Sequence, residues 1–145
     1  MHRKSLLHNI FFRSFFFAAS VLVLQSGCAL SGMVVDKEKI QTPVKRLYLK
    51  EDPFLKIWHG GLVKHIPLSK VTMVKIDAAK SIVVGDDLYF GGEVILRNGA
   101  KVQPSDDKSA LNAVYISIHN TLAGKSREQS FSISLENVSE IQVNK

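Results

Sequence analysis

The chain contains a single cysteine, Cys28, among 145 residues. No disulfide can close within it, so any compact fold rests on apolar packing and backbone hydrogen bonds. A long apolar run is also missing. The block from Phe15 to Leu24 stops near ten residues, before Gln25 and Ser26, whereas an uncleaved membrane helix needs about 20. Helical amphipathic periodicity is absent beyond that block, with "DKSALNAVY" the only stretch able to supply a helical turn. No basic stripe interleaved with aromatics appears, which argues against nucleic acid as a partner. No mature serine lies in an elbow such as G-x-S-x-G, so "SIHN" at Ser117 to Asn120 offers no nucleophile and an enzyme is not expected.

What is present begins with His2, Arg3, Lys4 and Arg13, then the apolar block, then the small residues Ser26 and Gly27 before Cys28. Charge, greasy core and small residues in this order make residues 1–27 a secretory signal. The segment "VLVLQSGCAL" resembles the lipobox of bacterial lipoproteins, whose cysteine is acylated on its thiol and becomes the first mature residue. Gln25 departs from the family pattern, which has an aliphatic residue three places before the cysteine; here Leu24 sits one place too early.

The resemblance implies lipidation of Cys28 with a diacylglyceryl group and an amide-linked chain. Each acyl methylene contributes about 0.8 kcal/mol of membrane affinity, so several chains hold durably where one holds marginally. An exported protein with one cysteine would otherwise expose a reactive thiol, and lipidation consumes it. Ala29 behind the cysteine, in place of the retention aspartate of the family, implies the outer rather than the inner membrane, with the body facing periplasm or cell surface.

Removing residues 1–27 leaves 118, enough for one domain. The formal charge of +6 falls as well. Without Arg3, Lys4 and Arg13, the 19 basic residues become 16 against 13 acidic, or +3, so half of the apparent basicity is targeting. Residues 28–44, small, polar and charged up to Pro43, suit a lipidated tether of at most about 55 Å. Met33, Val34 and Val35, with two β-branched valines, offer a short strand instead. Residues 45–145 then form a single domain.

In that domain, short segments rich in Val, Ile, Leu, Tyr and Phe are broken by Gly, Asn, Asp and Pro at spacings near ten residues. This pattern predicts an all-β fold, a small antiparallel β-sandwich or a partly open barrel. Gly60-Gly61 predicts a two-residue hairpin turn because both positions accept positive φ, and Asn98-Gly99 predicts a second hairpin.

Two segments share the pattern I-x-L-x-x-V-x-x-(V/I)-x-(I/V): "IPLSKVTMVKI" from Ile66 and "ISLENVSEIQV" from Ile133. The offset is 67 residues, and "LYL" from Leu47 matches "VYI" from Val114 at the same offset. The expectation is two pseudo-equivalent halves. Spacings of three within the pattern mark a corner or one helical turn between strands, burying Val71 and Val138. Pro67 then belongs at a strand end or an edge, where no ladder donor is needed.

Candidate ligand groups are few. With Gly60-Gly61 as the turn, His59 faces Leu62 and His65 faces Lys56, on opposite sides of the ribbon, so these two histidines do not chelate one ion. His119 stands far away in sequence. Asp86-Asp87 lacks the alternating ligand spacing of a calcium loop and reads as a turn former, and Asp106-Asp107 sits in the surface-loop composition "PSDDKSA". No cofactor is expected.

The aromatic residues Tyr48, Tyr89, Phe90, Tyr115 and Phe131 are expected chiefly in the core. Trp58 is the exception, because its ribbon face carries Lys56, Val63 and His65, and it is the candidate contact for a partner. The sequence thus points to a membrane-anchored protein with a non-catalytic binding or assembly role in the bacterial envelope, its partners being lipid through Cys28 and an envelope protein. The competing reading is an exported metal-dependent enzyme or metal-binding protein using His59, His65, His119 or Asp86-Asp87.

Overall fold

The computed structural model describes residues 29–102 and 114–145. The signal segment, Cys28 and Asp106-Asp107 lie outside the described residues. Among the described residues eleven strands follow one another: β1 (Ser31–Asp36), β2 (Gln41–Leu49), β3 (Phe54–His59), β4 (Leu62–Pro67), β5 (Val71–Val84), β6 (Asp87–Leu96), β7 (Lys101–Val102), β8 (Tyr115–Ser117), β9 (Thr121–Ser126), β10 (Gln129–Ser134) and β11 (Val138–Asn144). Among the described residues there is no α-helix, and two single 3₁₀ turns stand at Leu68–Lys70 and Leu135–Asn137.

One antiparallel sheet joins the strands in the order β10-β9-β2-β1-β11-β5-β6-β8-β3-β4, with β7 added beside β6. The sheet is continuous and curls into an open half-barrel. Of the two all-β forms expected, the partly open barrel is the one adopted.

The stretch read as a tether differs. Ser31–Asp36 is strand β1, hydrogen-bonded to β2 on one side and β11 on the other. The small and polar residues there misled, since Val34 is the inward residue and is 1% exposed while its neighbours face outward. Only Ala29 and Leu30 precede the sheet among the described residues, and Leu30 already packs against the core and accepts a hydrogen bond from the Leu47 amide at 2.8 Å.

The strand order is a palindrome about the β11/β5 seam, and residue numbers follow it. Hairpin β3–β4 and hairpin β9–β10 have identical lengths at an offset of 67, with Phe54 opposite Pro67 and Thr121 opposite Ser134. The 3₁₀ turns and the starts of β5 and β11 keep the same offset. Beside β5, β6 takes the place that β1 takes beside β11: Val94 pairs with Val74 as Val34 pairs with Ile141. One half is therefore β5-β6-β8-β3-β4 and the other β11-β1-β2-β9-β10. The chain crosses between halves at β2 to β3 and again at β8 to β9.

Gly60-Gly61 turns the first hairpin with φ of 61° and 78°. In the second, Arg127 and Glu128 adopt the same left-handed conformation at 49° and 64°, although neither residue type favours it. The Asn98-Gly99 hairpin also forms, but its loop is longer than two residues: Ile95 pairs with Lys101, and the Leu96 amide bonds the Ala100 carbonyl. Between β5 and β6 Gly85 and Asp86 reverse the chain, while Asp87 opens β6 opposite Val84.

The corners fulfil the spacing argument. Val71 and Val138 are 0% and 1% exposed, and Leu68 and Leu135 beneath them are buried as well. Pro67 ends β4, an edge strand, so its missing N–H leaves no gap in a ladder. The two crossovers are fastened together by Asn120, which is buried. Its Oδ1 accepts from the amides of Glu51 and Thr121, and its Nδ2 donates to the Asp52 carbonyl. "SIHN" is thus a structural clamp, with Ser117 buried beside it.

Candidate partner-binding face

The β3–β4 ribbon places alternate residues on opposite sides. Leu55 and Ile57 point inward and are buried, which leaves Phe54, Lys56 and Trp58 on the outer side, opposite Pro67, His65 and Val63. Tyr115 of β8 lies directly beside Trp58. Phe54 meets His65 edge-on, with ring centroids 6.3 Å apart and an interplanar angle of 81°. Phe54 and Val63 are exposed, and Trp58 and Tyr115 are half-buried. On the other side of the ribbon tip Leu62 is 65% exposed, the apolar residue in this hairpin most open to water.

Lys56 fixes the inner margin of the face. Its Nζ donates to Asp87 Oδ2 at 2.6 Å, with both side chains about a third exposed. The hydrogen bond holds the Asp87 carboxyl below its ordinary value and raises the Lys56 ammonium above its own. Burial pushes the neighbouring Tyr89 phenol up, so it stays neutral beneath the pair.

His59, His65 and His119 stand in three separate environments. His59 Nδ1 lies 3.0 Å from Lys64 Nζ, and since an ammonium only donates, Nδ1 is the acceptor and the proton resides on Nε2. His65 belongs to the outer face, opposite in side to His59, as the Gly-Gly turn predicted. His119 Nε2 accepts from the Leu88 amide at 3.2 Å. Asp87 is committed to Lys56, away from Asp86 in the turn. Among the described residues no three His, Cys, Asp or Glu side chains gather into a metal-holding group.

No family model matches this chain, and no curated protein matches its sequence. Comparison must therefore be internal, between the two halves. Three inward positions agree, Leu55 with Leu122, Ile66 with Ile133 and Leu68 with Leu135, whereas the inward pair Ile57 and Lys64 is replaced by Gly124 and Phe131. Exposed positions differ: on the outer side Trp58 corresponds to Lys125, Val63 to Ser130 and His65 to Ser132, and on the other side of the ribbon tip Leu62 corresponds to Gln129.

Among the aromatics, Tyr89 and Phe90 are buried as expected, but Tyr48 is 53% exposed and Phe131 only half-buried. Sequence reasoning singled out Trp58 but missed Phe54, Leu62 and Tyr115 around it. The parity that placed Trp58 outward applies equally to Phe54, two residues earlier. Tyr115 needed the β3–β8 pairing, which no local pattern announces.

Proposed function

We propose that the protein is a lipid-anchored, non-catalytic binding module of the bacterial envelope, held to the membrane through Cys28 and docking an envelope protein on its first hairpin. The reading is supported above all by the contrast between the hairpins. The same backbone, with the same turn and the same inward leucines, accepts Gln129 and Ser130 at positions where the first hairpin presents Leu62 and Val63 to water. The fold does not require those apolar side chains, and exposing them carries a solubility cost that a partner removes.

The location reinforces this. Among the described residues β4 ends the sheet, so one row of its backbone amides and carbonyls has no partner there. Proteins usually blunt such an edge with charge or proline. Lys64 and Pro67 do so at one place each, but Leu62 and Val63 lie between the turn and Lys64. An extended segment of the partner added along β4 gains main-chain hydrogen bonds, while Trp58, Val63 and Phe54 supply the side-chain contact.

Exchanging the exposed residues for their counterparts (Trp58→Lys, Leu62→Gln, Val63→Ser) tests this. The wild-type chain, isolated from detergent-solubilised envelopes, should bring down a specific protein in near-stoichiometric amount. The triple variant should lose it while melting within a few degrees of wild type. Retention of the same partners by a folded variant would contradict the proposal.

A further inference from the structure

We infer that the end of the sheet where β1 begins is a second interaction surface, built to lie on anionic lipid headgroups. The inference rests on the proposed anchor at Cys28. Leu30 is fixed into the body by the Leu47 amide, so only Ala29 separates the attachment point from the folded domain. Two residue steps span at most about 7 Å. An acylated Cys28 therefore brings the start of β1 to the headgroups, and the side chains around that point meet the membrane whatever else the body does.

Those side chains are basic. In the row of residues that starts at Ser31, Lys45 of β2 is its neighbour and Lys125 of β9 is the next, so two ammonium-bearing chains stand directly opposite each other. Like charges in that relation repel. Neither forms an ion pair with a described carboxylate. Arg127, held in the left-handed turn of the adjacent hairpin, joins them along one shallow groove of about 500 Å³ that also includes Ser31 and Asn144; Glu128 is the acidic residue on its wall. In the first half the position of Lys125 is occupied by Trp58, so the fold itself does not call for a cation there.

An anionic surface resolves the repulsion. Its negative potential, which reaches about a Debye length or some 8 Å at physiological salt, attracts the cations brought toward it beside Ser31. The lipid anchor then fixes where the protein sits, and Lys45, Lys125 and Arg127 fix which way it faces.

The full chain, expressed in a bacterium and purified from membranes in detergent, is reconstituted into vesicles of phosphatidylcholine alone or with about one third phosphatidylglycerol. Brief amine acetylation is read lysine by lysine. Lys45 and Lys125 should react at least about threefold more slowly on the anionic vesicles, Lys64 at the same rate on both, and high salt should abolish the difference. Equal rates for Lys45 and Lys125 on both vesicles, with the acyl mass present on Cys28, would overturn the surface and leave the anchor standing. An intact mass without acyl groups would overturn the anchor, and this surface with it.

Discussion

Val74 and Ile141 lie opposite each other where β5 meets β11, and they are also equivalent residues of the two halves, 67 positions apart. The flanking pairs exchange equivalents as well: Lys75 stands opposite Glu140, and Gln142, the counterpart of Lys75, stands opposite Met73, the counterpart of Glu140. A pseudo-two-fold axis thus passes through the Val74–Ile141 pair, and the seam between halves is the centre of one continuous sheet. Both side chains are fully buried. The two halves share one buried seam.

Leucines at the two corners should respond alike. Leu68→Ala and Leu135→Ala each empty a buried site under a 3₁₀ turn, and each should destabilise the domain by roughly 2 to 5 kcal/mol in a urea titration. Glu136→Ala, exposed in the same turn, should cost under about 0.5 kcal/mol. Negligible losses at both leucines would show that the corners do not hold the halves.

Gly32 and Gly92 form the second matched pair. A methyl group on Gly32 would be driven onto the Gln142 carbonyl oxygen, and one on Gly92 onto that of Lys75, which are themselves equivalent positions. The obstruction is backbone in both cases, so the strands must part. Alanine at either site should cost roughly 1 to 3 kcal/mol, measured by thermal or denaturant unfolding.

The Lys56–Asp87 bridge sets a pH window. Asp87 is held below its ordinary value, so its contribution is complete above the unfolded carboxyl value of about 3.9 and fades as pH falls through the folded value. Lys56 is raised, so its contribution is complete below about 10.4 and is lost as pH rises through its folded value. The melting-temperature gap between wild type and Asp87→Asn should be widest between these limits and close outside them. A constant gap across the acid range would contradict the bridge.

Much of this architecture is legible in the chain because period-two alternation and turn chemistry are local. Gly60-Gly61 fixed the parity that put Trp58 outward, and the threes in the repeated pattern marked both corners. β1 showed only as the short Met33–Val35 alternative to a tether, because it is short and its burial comes from pairing with β11, more than 100 residues away. The second hairpin carries no Gly or Asn at Arg127-Glu128, so its turn residues gave no signal, and only the offset of 67 implied it. The contrast between hairpins needed that same alignment extended through β9 and β10, where outward residues differ so much that sequence similarity vanishes.

Cys28→Ala should abolish incorporation of labelled fatty acid and release the protein from the membrane fraction, because the thioether lipid has no other attachment point. Unchanged membrane retention, with no lipid on the wild type, would remove the anchor.

The most direct test of the docking claim places a photoreactive amino acid at Leu62 in one strain and at its counterpart Gln129 in another, with illumination of living cells. Position 62 should give one discrete adduct with an envelope protein, and position 129 none. The same adduct pattern at both positions, or no adduct at 62, would contradict a partner-binding first hairpin.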